Sequence, residues 1–275
     1  MRHEFDTPQP VALHAELGPG SLTVQAAGTA TSVVEVTGSH AEEFEVEQQG
    51  DQITIRAPRQ RAGFFGGGDV GRADVTVVVP TGSDLVVRTG SAAVDTRGTF
   101  GTCRLRSGSG EVRLSEAAGP IVIETGSGDI TVTTAHTDLR LKAGSGAVEV
   151  ERCTGSAVVS TGSGAVRLGS TGATAVVKTG SGGLVVDEAG ADLSATTGSG
   201  DIAIGVQRRG RFTAKAASGD VTVGVPAGIP VWTDLRSVSG QIRSNLAGAG
   251  QPVDGQDHLE LRTVTASGDI TLHQL

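Results

Sequence analysis

The sequence predicts an all-β protein whose strands stack as the coils of a parallel β-helix, a β-solenoid. Three observations predict it. From Thr89 to about Ala214 the chain repeats one 18-residue unit without a slip, its fourth residue falling at Ala92, Gly110, Gly128, Gly146, Gly164, Gly182 and Gly200. A fixed period of this kind marks a stacked repeat, in which a unit buries its apolar face only against its neighbours. Within the unit, positions 6 and 8 are Val, Ile or Leu (Val112 and Leu114, Ile130 and Val132), and so mostly are positions 15 and 17 (Ile121 and Ile123). Alternation in two blocks means two strands per 18-residue coil, each turning every second side chain inward. Composition agrees: 42 glycines, six Phe, one Trp, no Tyr, and Val, Ile and Thr in place of helix-forming runs.

Taken in order, residues 11–57 hold five strand-like runs of less regular spacing: Val11 to Leu17, Ser21 to Ala26, Ser32 to Thr37, Glu43 to Gln48 and Gln52 to Ala57. The last two read as a hairpin, with Gly50 supplying the positive φ of a tight turn. Glu42, Glu43, Glu45, Glu47 and Asp51 crowd it, as on a solvated edge. Pro58 to Arg72 follows, a loop with three consecutive glycines and two adjacent phenylalanines, Phe64 and Phe65, beside Arg59 and Arg61. It lacks a GxxxxGK[ST] pattern, so it is not a phosphate-binding loop. The phenylalanines serve either as a lid on the end of the stack or as an apolar contact with a membrane or partner. Ala73 to Pro80 is a strand closed by proline, and the repeat follows it without a linker. From Lys215 the period loosens, the equivalent glycines moving to Gly219, Gly240 and Gly268, with a Gly- and Pro-containing insertion at Ala247 to Gln256. The expected organisation is thus an irregular N-terminal β-region or cap over 1–72 continuous with a solenoid over 73–275, regular in 89–214 and looser in 215–275.

Charge narrows the partners. The net charge is −8, and residues 1 to 88 carry 12 acidic against 6 basic side chains. An acidic, aromatic-poor chain is a poor match to nucleic acid. The first residues have no charged segment followed by an apolar one, and no run approaches 18 apolar residues, so the sequence reads as cytoplasmic with envelope association open. Cys103 and Cys153 lie three coils apart, about 14 Å at ~4.8 Å per coil, beyond the roughly 7 Å reach of a disulfide. Both are expected as reduced, inert core thiols.

The Gly-Ser-Gly corner offers a serine in every coil (Ser91, Ser109, Ser127, Ser145, Ser163, Ser181, Ser199, then Ser218, Ser239 and Ser267). Pointing inward, these hydroxyls would form a ladder, with the flanking glycines freeing the backbone to turn. No histidine recurs in register with them, which argues against nucleophilic catalysis. Calcium-binding nonapeptide rolls also have 18-residue coils but need an aspartate where this chain has Val, Ile or Leu; Asp129, Asp201, Asp220 and Asp269 come one residue early. The six dispersed histidines show no metal-ligand spacing, so no metal or other cofactor is expected. Outward positions 16 and 18 carry Arg104, Arg106, Arg140, Lys142 and Lys178 on alternate coils, about 9.6 Å apart, a basic stripe that could meet an anionic polymer or lipid headgroup.

The run ADVTVVVPTGSDLVVRTGSAAV, the TGSGDI and TGSGAV units, and the ending VPAGIPVWTDLRSVSGQIRSNL with TVTASGDITL resemble the bacterial β-strand-repeat "putative adhesin" family, a toastrack-like domain of unknown function. The resemblance implies a single-stranded, right-handed parallel β-helix with no catalytic residues to carry over. The expected function is non-enzymatic binding or scaffolding, as an adhesin or envelope-associated module, through Phe64, Phe65 and the basic stripe. Its partner would be an envelope component, an anionic polymer or a protein. Two alternatives stand beside it: a polysaccharide-active β-helix enzyme, which would want paired carboxylates and aromatic platforms, and a scaffold that polymerises end to end through open terminal coils.

Overall fold

The computed structural model describes residues 1–58, 71–248 and 258–275. Among them the elements are all β-strands apart from one 3-10 turn, Ala41–Glu43. The chain divides into two compact units, Met1–His136 and Thr137–Leu275, each a stack of two-stranded coils.

In the second unit, strands that follow the Gly-Ser-Gly corner build a first sheet and strands that precede it build a second. The period appears directly as register. Val148 pairs with Val166, Val166 with Leu184 and Leu184 with Ile202, all parallel and each 18 residues on. Like therefore stacks on like, and these four side chains are no more than 1% exposed. Each such burial is worth about 1.5–3 kcal/mol, which a lone coil could not collect.

After Ile204 the order of coils departs from the order of the chain. The last two strands, Leu259–Ser267 and Ile270–Gln274, lie between the earlier coil (Gly210–Ser218, Val221–Val225) and the later one (Val231–Ser237, Ile242–Ser244). Burial explains the exchange. The inserted coil points Leu259, Leu261, Ile270 and Leu272 inward, each at most 1% exposed, whereas the outer coil offers Thr233 and Ile242, both exposed. The more apolar coil takes the place with a neighbour on both sides.

The first unit contains an exchange of the same kind. Ala12–Leu17 lies between Gln52–Arg56 and Asp84–Thr89, and Gly20–Ala27 lies between Ala73–Pro80 and Ala93–Arg97, all parallel. Residues 12–27 are thus a coil, and the coil outside it is made of strands on either side of residue 72. Antiparallel strands finish this end: Thr31–Gly38 on Ala73–Pro80, Arg2–Asp6 on Thr31–Gly38, and Glu45–Gln49 on Gln52–Arg56. The last pair is the expected hairpin, with Gly50 at φ 62° and its five carboxylates exposed. Charge along an outermost strand blocks the addition of another.

The corner is built differently from the inward serine ladder expected. Ser91, Ser109, Ser127, Ser145, Ser163, Ser181 and Ser199 are all exposed. The buried hydroxyl belongs to the residue two places earlier. Ser107 and Thr125 donate to the carbonyls of Gly110 and Gly128 at 2.8 and 2.7 Å, and Thr179 accepts the N–H of Gly182 at 2.9 Å. The second corner glycine is required by close approach, not by an unusual backbone angle. Its φ is not positive at Gly164 or Gly182, but a β-carbon there would stand 1.9 Å from the carbonyl oxygen one coil back.

Candidate contact surface

The side chains that could meet a partner project from the second sheet of each unit, because strand parity turns alternate residues outward. In the first unit Arg104 is exposed between Val86 and Val122 and makes no ion pair among the described residues. Arg106 stands beside Arg88 on one side and Glu124 on the other, and its Nε meets the Glu124 carboxylate at 3.1 Å. Half of the basic pair in this coil is therefore matched internally.

The second unit carries a stronger feature. Register puts Lys142, Ser160, Lys178, Thr196 and Lys215 in one column on successive strands. The three lysines are exposed, occupy alternate rungs about 9.6 Å apart, and make no ion pair among the described residues. The adjacent outward column runs Arg140, Val158, Val176, Ser194, Thr213. Across these five strands the two columns hold four cations and no carboxylate. Beyond Lys215 the columns continue to Val264 and Arg236, and to Arg262 and Asp234. There the charges are matched, Arg236 with Asp234 at 3.1 Å and Arg262 with Glu260 at 2.6 Å. The guanidinium of Arg262 lies 5.2 Å over the ring of Trp232, which is 52% exposed, so the track ends at an aromatic platform.

Arg140, Lys142 and Lys178 thus come together as expected, while Phe64, Phe65 and most of the Ala247 to Gln256 insertion lie outside the described residues. Sequence reasoning missed Lys215, Arg236, Arg262 and Trp232 because the 18-residue count fails after Gly200. Counting three residues back from each corner serine recovers the column: Lys142 from Ser145, Lys178 from Ser181, Lys215 from Ser218, Arg236 from Ser239.

The aspartates of the SGD triplets act as latches between coils. Asp201 accepts the N–H of Asp220 at 2.8 Å, Asp220 that of Asp269 at 2.7 Å, and Asp269 that of Gln241 at 2.8 Å, following the exchanged order of the coils. The Gln241 N–H, then Arg243, hold the Asp269 carboxyl below its ordinary range. Among the described residues no group of His, Cys, Asp and Glu is arranged to hold a metal ion. The expected core places of the cysteines are occupied: Cys103 is fully buried between Leu85 and Ile121, and Cys153 is 1% exposed beside Thr171. Both are free thiols, raised by burial to about 12 and about 11.

The family model for the toastrack domain DUF4097 matches residues 18–273. The chain belongs to the toastrack family. A search of curated proteins finds no match. Among solved structures, a putative cell adhesion protein from Clostridium sporogenes shares 12% identity at a TM-score of 0.26, with 100% of this chain and 99% of that chain covered. A putative adhesin from Bacteroides fragilis shares 10% at 0.37, and one from Parabacteroides distasonis 14% at 0.36, each covering 100% of this chain and 96% of its own. Among the described residues of this toastrack chain no helix is long and apolar enough to cross a membrane.

Proposed function

We propose that the protein is a non-enzymatic binding module of the adhesin-like kind, associated with the cell envelope, and that the outer face of the second sheet in Thr137–Leu275 receives an anionic polymer. One observation carries this reading: Lys142, Lys178 and Lys215 repeat on alternate rungs of a rigid sheet with Arg140 beside them and no carboxylate among them. On a chain of net charge −8, such a face focuses attraction for anions that the remainder of the surface repels. A regular spacing suits a ligand whose charges also recur, since each lysine then meets a group without bending sheet or polymer. Toastrack membership supports a binding role at the level of the family.

The test is retention on immobilised heparin and on neutral dextran across a salt gradient. The wild type should bind heparin alone and elute with salt. Lys142→Glu/Lys178→Glu/Lys215→Glu should abolish retention, while the same charge change at Arg2, Arg97 and Arg113 in the other unit should leave most of it. Equal loss in both variants would overturn the assignment of the face. Polysaccharide cleavage lost on substituting a single carboxylate would overturn the non-enzymatic reading.

A further inference from the structure

A second basic feature lies at the other corner of the coils in Thr137–Leu275, where each chain turns back toward the second sheet. On successive coils Gly172 and Gly190 occupy equivalent places, their amides bonded to the carbonyls of Cys153 and Thr171 at 2.8 Å each. Arg208 occupies the next place, its N–H bonded to the Ala189 carbonyl at 3.1 Å. Two consecutive coils thus lack a side chain where their neighbours carry one. The result is a groove of about 420 Å³, floored by the two glycines and walled by Arg152 at one end and by Arg208 and Arg209 at the other.

The arginines of the far wall are held by one nitrogen each. Arg208 Nε donates to Glu188 at 2.6 Å, and Arg209 Nε donates to the Gly190 carbonyl at 2.9 Å. No other hydrogen bond of either guanidinium is formed among the described residues, so each fork of Nη donors is positioned and unspent. Arg152 makes no ion pair or hydrogen bond among the described residues. Three guanidiniums against one carboxylate leave the groove with an excess of two positive charges. The Glu188 carboxyl is held below its ordinary range, first by the bond from Arg208, so it keeps that side chain in place across the physiological range.

We propose that this groove is a binding site for a phosphate group, carried by a molecule of about the size of a phosphorylated sugar, with Arg152 and Arg209 as its principal contacts. Planar forks of donors match tetrahedral oxyanions in pairs, and Arg is the side chain suited to this recognition. The volume exceeds that of inorganic phosphate and leaves room for the group that bears it.

The experiment follows amide resonances of Gly172 and Gly190 during titration with glucose 6-phosphate, with glucose, and with vesicles of phosphatidylglycerol against phosphatidylcholine. Shifts with the sugar phosphate and not with glucose are expected. Arg152→Gln, which removes a side chain with no partner to lose, and Arg209→Gln should each weaken binding about tenfold, with unchanged melting for Arg152→Gln. Selective binding to phosphatidylglycerol through the same two arginines would identify a lipid headgroup as the source of the phosphate. Binding to neither, or binding unchanged in Arg152→Gln, would overturn the proposal. The variant Lys142→Glu/Lys178→Glu/Lys215→Glu should retain these shifts, which separates this site from the polymer face.

Discussion

The Thr179 hydroxyl accepts the amide hydrogen of Gly182 at 2.9 Å, closing the corner of its coil from within. The same oxygen reaches the Gly164 carbonyl one coil back at 3.4 Å, so one buried side chain fixes both the turn and its distance from the neighbouring turn. Thr161 repeats the arrangement with Gly164 N–H and the Gly146 carbonyl.

Replacing Thr179 with Val should therefore destabilise the protein by about 1–3 kcal/mol, because it leaves a buried N–H unsatisfied. Ser181→Ala, two residues away on an exposed serine, should stay within about 0.5 kcal/mol of wild type. Urea unfolding midpoints at fixed m decide between them. Equal effects would return the structural role to the serine.

The corner glycines should separate in the same way. Gly164→Ala puts a β-carbon 1.9 Å from the Gly146 carbonyl oxygen and should forfeit cooperative unfolding or cost several kcal/mol. In Gly183→Ala the nearest atom is 3.8 Å away, so the protein should be unchanged or gain about 0.4–1 kcal/mol from a less flexible unfolded chain. Thermal melts followed by circular dichroism would show the difference.

Acid should loosen the outer coil (Val231–Ser237, Ile242–Ser244) from the coil beneath it. Asp269 has a folded value below its ordinary 3.8, held there by the Gln241 N–H and then by Arg243. A lowered carboxylate contributes stability that is complete above its ordinary value and disappears as pH falls through the folded one. Protection of the Gln241 and Arg243 amides, measured against the intrinsic exchange rate at each pH, should thus fall below about pH 4. Asp269→Asn should show lower protection at neutral pH and lose most of that acid dependence.

Neither cysteine should react while the protein is folded. With thiols at about 12 and about 11, the thiolate fraction at neutral pH is negligible, and both sulfurs are buried. Ellman's reagent should find no thiol in the native protein at pH 8 and two in urea. Prompt labelling of Cys153 would show that its corner opens.

Coil length gives a fifth test. Deleting Thr161–Lys178 removes one 18-residue repeat and joins Ser160 to Thr179, the same place in the next coil. The shortened protein should still unfold cooperatively. Deleting only Thr161–Gly169 sends one strand to the wrong sheet and should not fold.

Much of this was legible in the sequence. The strict spacing of Gly110, Gly128 and Gly164 announces the coil, and the alternation of Ile121 and Ile123 announces its inward face. Carried two residues further, that alternation already points Thr125 inward; Ser127 has the same parity but lies beyond the end of the strand at Thr125, in the corner, where alternation lapses. The serine repeats more faithfully, but the place where the strand ends decides which hydroxyl is buried. The exchanged coils at the two ends were not legible, because Val221 pairs with Ile270 across 49 residues, and only the relative apolarity of two distant ladders decides which coil lies inside. For the same reason Lys215 was missed, its place being set by the strand beside it and not by a constant count.

The exchange also bears on how the molecule would carry load. Ile270–Gln274 is gripped by a parallel neighbour on each side. Tension applied through Leu275 along the strand acts on both rows of backbone hydrogen bonds in shear, so they must fail together instead of peeling one by one. With the coil of Leu259–Ser267 and Ile270–Gln274 tucked beneath the one that precedes it in the chain, force that enters through this strand meets two ladders instead of one.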